Sequence, residues 1–182
     1  MSNRLNDPLL NIGKLAAVIL QGLAALATGL FFLLALMVVL NSLGILPDFF
    51  GESDGPDILI FPLPGISLAL VLALLCAALF LFFGRLRAFI RTVAEGDPFI
   101  PENAQRLNAM AWLVLGIQIL AFLVAALRNH LAALALRVES SGFYFDFDRR
   151  DMVGILMVIV LFILARVFRH GAAMREDLEG TV

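Results

Sequence analysis

The 182-residue chain is poor in the residues that usually carry chemistry: it has one cysteine, two histidines, and a single lysine, Lys14, its other basic residues all being arginine. Cys76, set in the run Leu74-Leu75-Cys76-Ala77-Ala78, can close no internal disulfide and joins no Cys-x-x-Cys pair. His130 and His170 lie in different segments, and no His-Glu-x-x-His is present, so a zinc site has no ligand set. Only 15% of residues are charged, the net charge is −2, and no basic run stands out, which leaves direct nucleic-acid binding without electrostatic support. No Asp or Glu interrupts the long apolar runs, as an intramembrane protease or proton-coupled carrier would need. No Ser or Thr in those runs has a His or Asp beside it, and Gly96 and Gly142 are isolated glycines rather than phosphate loops. No catalytic residue, metal or cofactor is therefore assigned, and an enzyme is not expected.

What the chain does have is apolar surface. With 62% hydrophobic residues and a mean hydropathy of +0.98, it has too few polar groups to coat a water-soluble globule. Four runs, 15–40, 66–83, 108–127 and 152–168, fall in or above the range of about 17–25 residues that a membrane-crossing helix needs, the fourth being short. The expected fold class is an all-α integral membrane protein, a four-helix transmembrane bundle in a single membrane domain spanning 1–182. Ala25-Leu26-Ala27 imitates a signal-peptidase site, but the apolar run continues past it, which favours a retained helix.

The connections differ in charge. Loop 41–65 carries Asp48, Glu52, Asp54, Asp57 and four prolines, with no Lys or Arg. Segment 84–107 carries Arg85, Arg87, Arg91 and Arg106, and the second helix is expected to run past the lipid as an arginine-studded stub. In 128–151, the stripe Leu127, Leu131, Leu134 and Val138 predicts a short helix lying at the membrane surface. Beyond it, residues 143–148 alternate with strand periodicity and can pair with 58–61 as a small extracytoplasmic hairpin or mini-sheet. The tail 171–182 is polar and acidic.

Counting Lys and Arg orients the chain. Arg4, Lys14, Arg85, Arg87, Arg91, Arg106, Arg166, Arg169 and Arg175 fall on one face, against Arg128, Arg137, Arg149 and Arg150 on the other. The bias places both termini and segment 84–107 in the cytoplasm and loops 41–65 and 128–151 outside, in a multi-pass protein of a bacterial inner membrane. Arg85, Arg87 and Arg91 are candidate contacts for anionic lipid headgroups.

The stretch Glu95-Gly96-Asp97-Pro98-Phe99-Ile100-Pro101-Glu102-Asn103 forms the corner between the second and third runs. Gly96 ends one helix, and Pro101 with Glu102 suits the first turn of the next, where a missing N–H and a negative charge are both tolerated. Phe99 and Ile100, apolar but outside the bilayer and flanked by Glu95, Asp97 and Glu102, are candidates for docking a partner, together with Glu176 and Asp177 of the tail. Inside the lipid, Gln21 and Gln118 lie in spans entered from the same face with a depth mismatch of about 6 Å, and a hydrogen bond between them across helices is feasible. Ala25/Gly29 and Ala121/Ala125 form small-residue faces that serve helix packing or a homo-oligomer.

The run Val93 to Leu107, the exit Ala165-Arg166-Val167-Phe168-Arg169-His170-Gly171 and the closing Asp177-Leu178-Glu179-Gly180-Thr181-Val182 together resemble the domain-of-unknown-function 2975 family of bacterial membrane proteins. The likeness is specific in the Gly-Asp-Pro-Phe corner and the Phe-x-x-Gly exit. It implies four spans, no established activity, and genes that neighbour a very small helix-turn-helix regulator. Two functions are consistent with these readings. One is a membrane-anchored regulator or sensor that engages a cytosolic partner, such as a small helix-turn-helix transcription regulator. The alternative is a module that binds or transports a lipid or apolar small molecule, with Gln21 and Gln118 as polar anchors.

Overall fold

A computed structural model describes residues 8–45, 62–136 and 149–179. The described residues form four helices: α1 (Pro8–Ser42), α2 (Pro62–Ala94), α3 (Pro101–Leu136) and α4 (Arg149–Glu179). All four are long and apolar enough to cross a membrane. The mini-sheet expected from 58–61 and 143–148 lies outside the described residues.

Each helix outruns its apolar segment. α1 has 35 residues and α3 has 36, so each extends beyond 50 Å at about 1.5 Å per residue, against a hydrocarbon core of about 30 Å. One expectation holds and two expected boundaries change as a result. Segment 84–107 is helical except at 95–100, so the arginine-studded stub is the last three turns of α2. The separate surface helix expected after residue 127 does not exist as such. α3 runs unbroken through Arg128 and His130 to Leu136, because no Gly or Pro follows Gly116 within it and its Ala- and Leu-rich end favours helix. The tail is helical through Gly171 and on to Glu179, since a single interior glycine costs only about 1 kcal/mol of propensity.

Two glycines stop helices as the sequence suggests. Gly96 has φ 91°, its N–H donates to the Val93 carbonyl at 3.1 Å, and the Asp97 N–H donates to the Thr92 carbonyl at 3.2 Å. Gly44, at φ 68°, ends α1 with the same pair of bonds, Gly44 N–H to Asn41 O and Ile45 N–H to Leu40 O. Both are Schellman closures, in which a left-handed residue turns two otherwise orphaned carbonyls onto the following N–H groups.

The chain divides into two compact units. One comprises Met1–Ala24, Ala78–Gln118 and Asp148–Val182, the other Ala25–Ala77 and Ile119–Phe147. The first unit contains a core of Phe82 from α2, Leu107, Met110, Ala111 and Val114 from α3, and Val158, Leu161 and Ala165 from α4. The three- and four-residue spacings of these positions are the inward stripes of packed helices. In the second unit the buried residues are small: Ala35 on α1 and Ala69, Ala73 and Cys76 on α2. Leu, Ile, Val and Phe cover much of the outside, including Leu26, Leu30, Val153, Leu156 and Ile163. That is the reverse of a water-soluble protein and suits lipid as the solvent.

Candidate functional site

The α2–α3 corner, all within the first unit, is held by a buried polar side chain and by α4. Asn103, third residue of α3, is fully buried. Its Nδ2 donates to the Pro98 carbonyl at 2.9 Å, tying the loop to the start of α3. Its Oδ1 accepts from Arg106 at 2.8 Å and stands 2.9 Å from the Thr92 hydroxyl on α2. Thr92 has a second acceptor, the Phe89 carbonyl at 2.8 Å, and its one hydroxyl proton serves one of them at a time. Three segments thus converge on one amide, and no buried side-chain nitrogen or oxygen among the described residues is left without a partner.

Phe99 then fastens the loop to α4. Its ring lies 5.1 Å, centroid to centroid, from Phe168, which in turn lies 5.5 Å from Phe89 of α2. Beyond Phe168 the ring covers Gly171, where a Cβ would meet Phe99 Cδ1 at 2.7 Å. Only glycine leaves room for that ring. Asp97 forms an ion pair with Arg175, one turn further along α4. The Gly-Asp-Pro-Phe corner and the Phe-x-x-Gly stretch, distant in sequence, are therefore two halves of one contact.

The other expected residues fall as follows. Phe99, expected to reach for a partner, spends one face on the chain's own α4 and keeps 43% of its surface exposed. Ile100 is half-buried, while Glu102, Glu176 and Asp177 are exposed. Glu95 pairs with Arg91 at 3.6 Å across one helical turn, an exposed pair worth a few tenths of a kcal/mol at about the usual i,i+4 value. Arg85 donates to the Leu81 carbonyl at 3.3 Å, and Arg87 is exposed.

Gln21 and Gln118 do not form the expected pair: no hydrogen bond joins them among the described residues. Each meets a glycine instead. The Gln21 amide nitrogen stands 3.0 Å from where a Gly84 Cβ would be, and the Gln118 amide fills the place of a Cβ on Gly154. Depth alone suggested the pair, but the missing side chains on α2 and α4 supply closer seats for both amides.

Sequence reasoning did not single out Thr92 or Gly154, and it named Asn103 only as the end of the corner and Gly171 only within the Phe-x-x-Gly exit. Asn103 carried a signal, because it continues the stripe Leu107, Met110/Ala111 and Val114, so a polar group had to be buried at its end.

Two open cavities flank α4 at this end. A groove of about 870 Å³ is lined by Phe99, Val167, Gly171, Met174 and Leu178, with Arg166, His170 and Arg175 at its edges. On the α3 side, Asn108, Phe162, Arg166, Arg169 and His170 line a second cavity of about 800 Å³.

A multi-pass helical membrane protein with a corner strapped to its last helix is the class these features define. The chain belongs to the family of proteins of unknown function DUF2975, whose profile matches residues 52–182. The match starts upstream of the corner and takes in α2, α3 and α4. Comparison with curated proteins and with solved structures gives no match.

Proposed function

We propose that the chain is a membrane-anchored regulator whose arginine-rich end faces the cytoplasm and holds a soluble partner there, without catalysis of its own. The observation that supports this reading is the groove between the strapped corner and the end of α4. Met174 is 52% and Leu178 71% exposed, beyond the stretch of α4 that carries no charge. Exposed apolar side chains at the charged end of a helix are the mark of an interaction surface. The surrounding acids Glu102, Glu176 and Asp177 would attract a basic partner and raise its association rate at low salt. A small helix-turn-helix regulator presents such a surface where it binds DNA, so capture by this end would compete with its operator. Because Phe99 is packed on Gly171, it serves as the wall of the groove, and Met174 and Leu178 carry the contact.

The test is capture of soluble protein from the lysate of the parent cells by the detergent-solubilised full chain. Met174→Asp and Leu178→Asp are each expected to weaken capture by about tenfold or more, the equivalent of one buried apolar side chain. Recovery of no soluble protein, or equal recovery by these variants with unchanged helicity, contradicts the proposal. The lipid-binding alternative is favoured by a different observation, the basic cavity on the α3 side.

A further inference from the structure

We infer that the cavity between α3 and α4 is a binding site for one anionic phospholipid, its phosphodiester head held by Arg166, Arg169, His170 and Asn108 and one acyl chain laid along Phe162, Ile163 and Trp112. This deepens the lipid-binding alternative by naming its site and ligand class, and it does not require the docking role. The cavity holds about 800 Å³ and brings Asn108 of α3 together with three basic residues of α4. Arg166, Arg169 and His170 follow one another at i, i+3 and i+4, so they rise on neighbouring faces of one helix. None of the three has a carboxylate partner among the described residues. Arg91 and Arg175, by contrast, are both paired. The guanidinium fork matches phosphate oxygens bidentately, and the Asn108 amide adds a neutral donor.

Depth and polarity select an amphiphile over a soluble anion. Arg166 is the first charged residue of α4 after Asp151, so the basic cluster begins where the apolar stretch ends. Below it the lining turns apolar with Phe162 and Ile163, and Phe162 meets the Trp112 ring edge-on at 5.5 Å. Above it, Glu176 lines the adjoining recess of about 400 Å³ together with Arg169 and Gln105. A phosphate is therefore attracted at the arginines and repelled one step further out. Ala104 and Ala111 of α3 and Ala165 of α4 are buried, small residues of the kind that let membrane helices pack closely beside such a space.

Trp112 is the only tryptophan and sits 60% exposed at the apolar end, which makes it the reporter. The full chain is reconstituted in phosphatidylcholine vesicles containing a small share of phosphatidylglycerol with brominated chains. Trp112 quenching should exceed several-fold that given by the same share of brominated phosphatidylcholine. Arg169→Gln should cut this preference by about fivefold, the usual worth of one basic side chain at a lipid surface. Arg166→Gln combined with Arg169→Gln should abolish it, whereas Arg169→Lys should keep most of it. Lys14→Gln, an exposed basic residue on α1 at the same end, should leave it intact. Inorganic phosphate should not compete. Equal quenching by the two brominated lipids overturns the inference, as does equal loss in the Lys14 variant, which would mean diffuse surface attraction. Relief of quenching by inorganic phosphate would assign the pocket to a soluble phosphate compound and overturn the lipid assignment. Because Arg169 does not line the Phe99 groove, its substitution leaves partner capture as a separate readout.

Discussion

Asn103 and Gly171 carry the corner, and both act through what surrounds them. Removing the Asn103 amide deprives the Pro98 carbonyl of its donor, and the Arg106 guanidinium and the Thr92 hydroxyl of an acceptor, at a fully buried position. Asn103→Ala should therefore cost about 1–3 kcal/mol of stability, measured as denaturation in detergent. A cost below a few tenths would mean that water reaches the amide. For Gly171→Ala two effects oppose each other: alanine gains about 1 kcal/mol of helix propensity, and the displaced Phe99 ring costs about 1–3 kcal/mol of overpacking. Making room moves the Phe99 ring off its tilted contact with Phe168 at 5.1 Å, so the second effect should win. In a Phe99→Ala background the same glycine substitution should turn neutral or stabilising. Equal effects in both backgrounds would sever Phe99 from Gly171. At this scale the sequence announced the turn, through Gly96 and Pro101. It did not announce where Phe99 goes, because an aromatic ring in a loop reads alike whether it faces a partner or its own last helix.

Helix existence was legible throughout, since four long apolar runs without an internal acid leave the backbone no other way to satisfy its hydrogen bonds in lipid. Helix ends were legible only where glycine or proline marks them. α2 stops at Gly96 and α3 starts at Pro101 as expected, but α3 passes through Arg128 and His130, which composition suggested as the edge of a separate helix. Charge marks where lipid ends and says little about where a helix ends. Between helices, the sequence offered polar depth and small-residue spacing, and the former misplaced Gln21 and Gln118 onto each other. With each amide seated over its own glycine, Gln21→Leu and Gln118→Leu should weaken packing by about 0.6 kcal/mol apiece, the usual worth of such a polar contact in a membrane protein. Their effects should add in the double variant. Coupling beyond about 0.5 kcal/mol would instead join the two residues.

Everything proposed for the molecule as a whole depends on which side of the membrane the corner faces. The groove beside Phe99 and the basic cavity beside Asn108 flank the same stretch of α4, so one orientation decides both whether a soluble partner can arrive and which leaflet supplies the lipid. The excess of Lys and Arg on this end is the physical basis for placing it in the cytoplasm, as basic loops resist translocation. Single cysteines in a Cys76→Ala background test this directly with a membrane-impermeant thiol reagent on intact cells. Asn103 is unsuitable as a probe because it is buried whichever side it faces, whereas Glu102 beside it is exposed. The account predicts that Ser53→Cys and Ser141→Cys react in intact cells and that Glu102→Cys reacts only after the membrane is permeabilised. Labelling of Glu102→Cys in intact cells, with Ser53→Cys protected, would contradict it.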